Sequence, residues 1–236
     1  MMYEKRSQDV ELIRYAGGDE SHACSGWTST SRELTEKKRA RIPAFLRMLM
    51  LHGHHTPFEK SYLQFLIKVD QATHIHLLKH RIGVSVNGES ARYKEIKDNY
   101  IYTPADFEGY EEMVLATAGV MGVEQYHKCI NNTELELGRK RAKEACRYYL
   151  GYNSMITLDV SFNFRSFMHF CNLRNSPHAQ VEIRQVAQKM LEAIENETNG
   201  AFEHSLAAYY DKRRFDTYVE KLLIEFEKTN EVPHYV

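Results

Sequence analysis

Alternation and helical spacing divide the chain into a few strands set among longer helices. Between Ser61 and Asp70, Leu63, Phe65, Ile67 and Val69 alternate with Gln64 and Lys68, the period-two pattern of a strand with one buried face. Asp9 to Tyr15 and Met155 to Phe162 read as strands too, and Tyr100 to Thr103 is a shorter candidate. The Gly17-Gly18 pair ends the first strand. The small polar run Ser21 to Ser31 (SHACSGWTSTS) that follows predicts a loop in which backbone comes close to a ligand.

Elsewhere the apolar residues recur at helical spacing. Phe45, Leu46, Leu49 and Met50 place a helix over Glu33 to Leu51, running up to Gly53 with a break or kink at Pro43. Gln71 to Arg81 predicts a helix with His76, Lys79 and His80 on one face, and Gly83 to Tyr93 breaks it. Further helices are expected at about Pro104 to Asn131, Thr133 to Leu150, Ala179 to Asn199 and Arg214 to Thr229. Asn163 to Arg174 (NFRSFMHFCNLR) carries two stripes, Phe164, Phe167, Met168 and Cys171 on a packing side and Arg165, His169 and Asn172 on a side that reaches a ligand. The sum is an α+β fold, a central mostly antiparallel sheet with flanking helices and a helical extension. A chain of 236 residues buries a full core, and residues 1–236 are expected to form a single domain.

Charge and cysteine usage narrow the function classes. Lys and Arg total 31 against 32 Asp and Glu, so no global positive field attracts nucleic acid or an acidic membrane, and any polyanion bound is a small one. The N-terminus MMYEKRSQDVELIRY has no long apolar run, and no later stretch approaches the roughly 20 apolar residues that span a bilayer. A soluble cytoplasmic protein is expected, in the host cytoplasm if the source is viral. Cys24, Cys129, Cys146 and Cys171 lie far apart with no C-x-x-C pair, which argues against a disulfide framework and a cysteine zinc site.

The segment Lys79 to Tyr93 (KHRIGVSVNGESARY) concentrates the candidate chemistry. It joins Lys79, His80 and Arg81 to a turn-forming Asn87-Gly88-Glu89-Ser90 and then to Arg92. Backbone N–H groups freed by a turn, a hydroxyl and an arginine are the materials that hold a phosphate. The same materials also make a solvated helix end followed by a capped loop. Histidines are dense at His52, His54, His55, His74, His76 and His80, and His76 with His80 has the spacing of a helical metal pair, but no H-E-x-x-H motif accompanies them. No metal is expected.

Three ordered blocks resemble the flavin-dependent thymidylate synthase family. Its signature, Arg-His-Arg, seven residues, then Ser, is approached by Lys79-His80-Arg81, eight residues and Ser90. His52-Gly53-His54-His55-Thr56-Pro57-Phe58-Glu59 is similar to the family's HGHxTPFEH stretch, with Lys60 in place of the last His. Asn163-Phe164-Arg165-Ser166, Asn172-Leu173-Arg174 and His178-Ala179-Gln180, with Glu182-Ile183, resemble its NxRS…NLRxxxHAQxEI block.

The resemblance implies a homotetramer with active sites at subunit junctions, bound flavin adenine dinucleotide (FAD), and reductive methylation of deoxyuridine monophosphate (dUMP) to thymidylate. Methylenetetrahydrofolate is the implied carbon donor and NADPH, or NADH, the reductant. A related methylase or hydroxymethylase of another uridine nucleotide, such as UMP, is the alternative. Carried over position by position, the flavin contacts are His54, Thr56, Glu59, His80, Arg81, Asn87, Asn163, Arg165, His169 and His178. The nucleotide contacts are His76, Lys79, Glu89, Ser90, Ala91, Arg92, Arg147 and Arg174. Arg174 is the expected cation beside the uracil ring. His54 is placed to orient the reacting pair, and Ser90, with no evident base beside it in sequence, reads as a ligand group before a nucleophile. The chain departs from the family at Lys79 for Arg, His76 for Gln, Gly88 for an acidic residue and His169 for Asn, and by one extra residue within Ile82 to Ser85. Lysine offers a point charge where arginine offers a planar fork.

Overall fold

The computed structural model describes residues 4–5, 7–96 and 100–229. Strand β1 (Glu4–Lys5) and β2 (Asp9–Ala16) are followed by α1 (Asp19–Gly26), α2 (Glu36–Arg39), α3 (Ile42–Leu51) and β3 (Tyr62–Asp70). Next come α4 (Gln71–Leu78), β4 (Val84–Gly88), β5 (Tyr100–Ile101), α5 (Gly109–Leu137) and α6 (Arg139–Cys146). The chain then runs through β6 (Met155–Phe162), α7 (Phe164–Arg174), α8 (Val181–Glu197) and α9 (Glu203–Thr229). Short 3-10 turns at Trp27–Ser29, Thr56–Glu59 and Arg147–Tyr149 link these elements.

The main sheet is antiparallel throughout, in the order β2-β3-β6-β4, and β1 pairs separately with β5 in parallel. Its buried face follows from the alternation in sequence: Leu63, Phe65, Ile67 and Val69 of β3 and Leu158, Val160 and Phe162 of β6 all lie in one apolar cluster. Each such side chain contributes about 1.5–3 kcal/mol by leaving water. Phe164, Phe167 and Cys171 of α7, Ile183, Val186 and Met190 of α8, and Leu46 and Met50 of α3 complete that cluster. The packing stripe expected on α7 is therefore the buried one, while Arg165, His169 and Asn172 stay exposed.

Several expected boundaries move. The run Ser21 to Ser31 is not a loop: α1 and a 3-10 turn occupy most of it, because Ala23, His22 and Trp27 are buried and tertiary packing overrides weak local preference. Pro43 falls in the first turn of α3, where its missing N–H is harmless, and the break precedes it at Ala40 and Arg41. Helix α5 continues through Asn131 and Asn132 and ends at Gly138, whose φ of 75° suits a helix terminus. Asn87-Gly88 is not a turn. It closes the edge strand β4, whose register runs from Val84 opposite Phe162 to Gly88 opposite Leu158.

The cysteines also differ from expectation. Cys129 and Cys146 form a disulfide, with Cα atoms 5.8 Å apart, because the turn at Gly138 folds α6 back against α5. Their separation of 17 residues hides the pairing from any short motif. Cys24 and Cys171 are free. Among the described residues no helix is long and apolar enough to cross a membrane.

Candidate functional site

The residues singled out in sequence gather in three places. The first is a cleft of about 1000 Å³ lined by Glu89, Ser90, Ala91 and Arg147 together with Gln8, Lys68, Lys94 and Lys189. Glu89 opens the segment after β4, its N–H donating to Thr157 O at 2.9 Å while its carboxylate accepts from Thr157 N at 3.0 Å and from Lys94. Burial pushes the Glu89 carboxyl up, but the Lys94 and Thr157 hydrogen bonds outweigh it and hold the pKa below the ordinary value. Ser90 Oγ accepts from Arg92 N at 3.3 Å, and Ser90 O accepts from Tyr93 N and Lys94 N, so the chain turns tightly here. Among the described residues Ser90 Oγ has no histidine or carboxylate partner, as a nucleophile would need. Arg147 projects from the turn after α6, and its guanidinium lies over the Tyr148 ring, 5.9 Å from the centroid.

The second place is the C-terminal end of α7. Arg174 Nε donates to His80 Nε2 at 3.0 Å, and its NH1 lies 3.4 Å from His76 Nδ1. His76 Nε2 is 3.0 Å from Gln180 Oε1, so this ring nitrogen carries the proton and Nδ1 is left to accept from the arginine. His80 is 9% exposed, its ring edge-on to Phe170. Burial, then the Arg174 guanidinium and the neighbouring His169 and His76 rings, lower its pKa to about 4. A guanidinium thus sits against two imidazoles, with no carboxylate against it among the described residues. Helix α4 stops at Leu78, so Lys79 is its cap and His80 lies beyond it, yet His76 and His80 still converge on one group. Ile82, two residues after His80, is 90% exposed, and Leu173, next to Arg174 in sequence, is 50% exposed.

The third place joins the 3-10 turn Thr56–Glu59 to the start of α7. Arg165 pairs with Glu59, and Asn163 Oδ1 accepts from Ser166 N at 2.9 Å, capping α7 as its position before the helix suggested. Gly83, at φ 66°, passes so close that a Cβ would run into Ser166 Oγ and Asn163 Nδ2, and Asn163 N donates to Gly83 O at 3.3 Å. His54, Thr56, Arg81, Asn87, His169 and His178 are exposed.

The sequence profile described as Thymidylate synthase complementing protein matches residues 11–198, a span that holds the second and third places and all of the first except its edge around Gln8. A flavin-dependent thymidylate synthase of Thermosipho melanesiensis is 33% identical over 216 residues, covering 85% of this chain and 91% of that one. That of Gluconobacter oxydans is 29% identical over 226 residues, covering 89% of this chain and 72% of its own. The chain belongs to the flavin-dependent thymidylate synthase family. Membership makes it a methyltransferase enzyme. Among solved structures, a UMP/dUMP methylase PolB from Streptomyces cacaoi bound with 5-Br dUMP superposes with a TM-score of 0.73 at 25% identity, covering 89% of this chain and 97% of that one. The same methylase bound with 5-Br UMP gives 0.71 at 26% identity.

Within one chain the expected nucleotide contacts do not form one group. Glu89, Ser90, Ala91 and Arg147 line the cleft, whereas His76, Lys79, Arg92 and Arg174 do not. Arg92 instead pairs with Glu144 of α6. The sequence reading missed Lys189 of α8, which lines the cleft and donates to Gln8 O, and Glu144, which sits unremarkably in the charged run RKRAKEAC. It also assigned no role to Gln180, although the His178-Ala179-Gln180 run marked the position.

Proposed function

We propose that this enzyme carries out the reductive methylation of dUMP to thymidylate, with methylenetetrahydrofolate as carbon donor, FAD as flavin and a reduced nicotinamide cofactor, NADPH or NADH, as reductant. The observation that carries the reading is the Arg174 guanidinium held by two imidazoles instead of a carboxylate. Methylation at carbon 5 of uracil requires that carbon to act as a nucleophile, which builds negative charge on the ring carbonyls. A fixed cation whose charge is not already cancelled lowers that barrier, and an arginine hydrogen-bonded to imidazole nitrogens instead of a carboxylate retains its charge for the substrate. The lowered pKa of His80 keeps its Nε2 an acceptor at neutral pH, which orients the fork.

Flavin suits the second and third places by the chemistry of their donors. Arg81, Arg165 and His178 supply the cationic and N–H groups that a diphosphate requires, and exposed Ile82 and Leu173 supply an apolar surface for a flat ring system. His54, Thr56, Glu59, His80, Asn87, Asn163 and His169 complete the proposed contacts. Bound and reduced, the flavin supplies the hydride equivalent, folate supplies the carbon, and the hydrogen on uracil carbon 5 departs as a proton.

In the cleft, Ser90, the backbone at Ala91 and Arg147 hold the nucleotide phosphate, with Glu89 beside the sugar. Lys79 and Arg92, which do not line the cleft, complete the proposed nucleotide contacts with His76, and His54 is proposed to orient the reacting pair. The cleft and the Arg174 group are separate sets within one chain, which supports a homotetramer whose sites are completed between subunits. We further propose that residues 1–236 act as one domain and that the enzyme works in the cytoplasm.

The test is anaerobic reduction of the purified, flavin-loaded enzyme with NADPH or NADH, followed by dUMP or UMP with methylenetetrahydrofolate and mass detection of the product. Thymidylate is expected from dUMP. No product from either nucleotide with any folate refutes the proposal, and product from UMP alone replaces the substrate.

A further inference from the structure

One short helix carries both parts of the candidate phosphate grip. Cys146 ends α6 and is followed directly by Arg147. The same helix holds the Ser90 segment from the other side: Glu144 accepts from the Arg92 guanidinium, and Lys143 Nζ donates to Tyr93 O at 2.8 Å. At its start, Arg139 pairs with Glu95, which also lies 3.3 Å from His127 Nδ1 of α5. Displacing α6 therefore displaces Arg147 and slackens the turn at Ser90 together.

Little else secures this helix. It has eight residues and buries only Ala142 and Cys146, in a small cluster with Tyr126 and Ile130 that is separate from the apolar cluster on the sheet. A helix of that length is not stable alone, and exposed ion pairs such as Arg92–Glu144 add little. Among the described residues, the main chain at Gly138 and the Arg139–Glu134 pair join the start of α6 to the end of α5, and the Cys129–Cys146 bond is the one covalent cross-link that fixes the far end of α6, next to Arg147.

We infer that this disulfide is a positioning element for the phosphate grip, and that affinity for phosphate-bearing nucleotides depends on whether Cys129 and Cys146 are bonded. The inference rests on the reading of the cleft as the nucleotide-phosphate site. Cys146 is 1% exposed and Cys129 is half-buried, so a small dithiol attacks Cys129 Sγ, and Cys146 leaves as a thiolate that takes a proton from solvent. The second thiol of the reductant then displaces Cys129 from the mixed disulfide. The protein gains two electrons and two protons, one of each per cysteine, and the dithiol becomes a cyclic disulfide. Reoxidation by a low-molecular-weight disulfide reverses this.

Full-length enzyme is prepared oxidised and dithiol-reduced, each state verified by thiol-labelling mass spectrometry, and binding of dUMP and of deoxyuridine is measured by calorimetry. Reduction is expected to weaken dUMP by about tenfold, the equivalent of one charge-assisted hydrogen bond, and to leave deoxyuridine unchanged. In turnover the KM for dUMP rises while kcat at saturating dUMP holds. The double variant C129S/C146S is expected to behave as the reduced enzyme and to ignore the reductant. Equal dUMP affinity in the two states, or free thiols at both positions in the oxidised sample, overturns the inference. Should dUMP bind neither state, the cleft reading fails, and amide exchange decides the brace: faster exchange at residues 90–94 and 139–149 after reduction upholds it, and unchanged exchange overturns it.

Discussion

Acid protonation of His80 places a positive charge on the ring that accepts from Arg174 Nε, and the surroundings of His80 set the pH at which it arrives. Burial first, and then the Arg174 guanidinium and the neighbouring His169 and His76 rings, take the imidazole from 6.5 to about 4. That drop corresponds to about 3 kcal/mol of preference for the neutral ring. The unfolded chain binds this proton more readily, so the contribution to stability is complete above pH 6.5 and is lost as pH falls through that value toward 4. The Arg174–His80 hydrogen bond in the folded protein answers only to the folded value and is lost with a midpoint near 4, since a protonated Nε2 cannot accept from Nε. The expected kcat/KM for dUMP therefore has no acid limb near pH 6.5 from this residue and falls with a midpoint near 4. The assay pairs a pH–rate profile with NMR titration of labelled histidine, His80 being assigned by its loss in His80→Phe. In Arg174→Met the second cause is gone but burial remains, so the His80 midpoint moves up and stays below 6.5. A wild-type midpoint at or above 6.5, or no movement in Arg174→Met, refutes the reasoning.

Other consequences concern the frame and the flavin surface. His22 is fully buried among Phe58, Phe164 and Phe202, and burial lowers its pKa to about 3. The stability advantage over His22→Phe in urea melts should shrink by about 1.4 kcal/mol per pH unit as pH falls from 6.5 toward 3, and a constant difference contradicts it. Gly83→Ala should cost about 1–3 kcal/mol in thermal or urea unfolding, because the left-handed backbone and the closeness of Ser166 and Asn163 both oppose a Cβ. Arg165→Gln breaks a largely exposed pair with Glu59 and should change stability by less than about 1 kcal/mol, while the flavin-to-protein absorbance ratio after purification falls. An unchanged ratio removes Arg165 from the flavin contacts.

The parts of the fold legible in sequence are those where one element has one clear face. Strands β2, β3 and β6 and helix α7 appear close to where alternation and the two-stripe pattern place them, and Asn163 caps α7. What escaped depends on partners distant in the chain. Asn87 and Gly88 have turn chemistry but form a ladder with β6, about 70 residues later, as their register with Asp159 and Leu158 shows. The polar run containing His22 becomes helical because α1 is drawn into the core, where Asp19 accepts from the N–H groups of His204 and Ser205 at the start of α9. The candidate site behaves likewise. Residue types were legible from motifs, but the grouping of Arg174 with His76, His80 and Gln180, apart from Ser90 and Arg147, is a property of the folded chain.

The separate apolar clusters have a consequence for how such an enzyme diversifies. Tyr126, Ile130, Ala142 and Cys146 pack with one another away from the sheet, and Ile101, Val120 and Val123 form a further small group. A substitution in α5 or α6 is absorbed within a few neighbours, so a lineage is free to retune the wall beside Arg147 while the strands and α7 keep their shape. On the proposed assignment of the cleft, the wall that meets the nucleotide is thereby free to drift faster than the surface that carries Arg174.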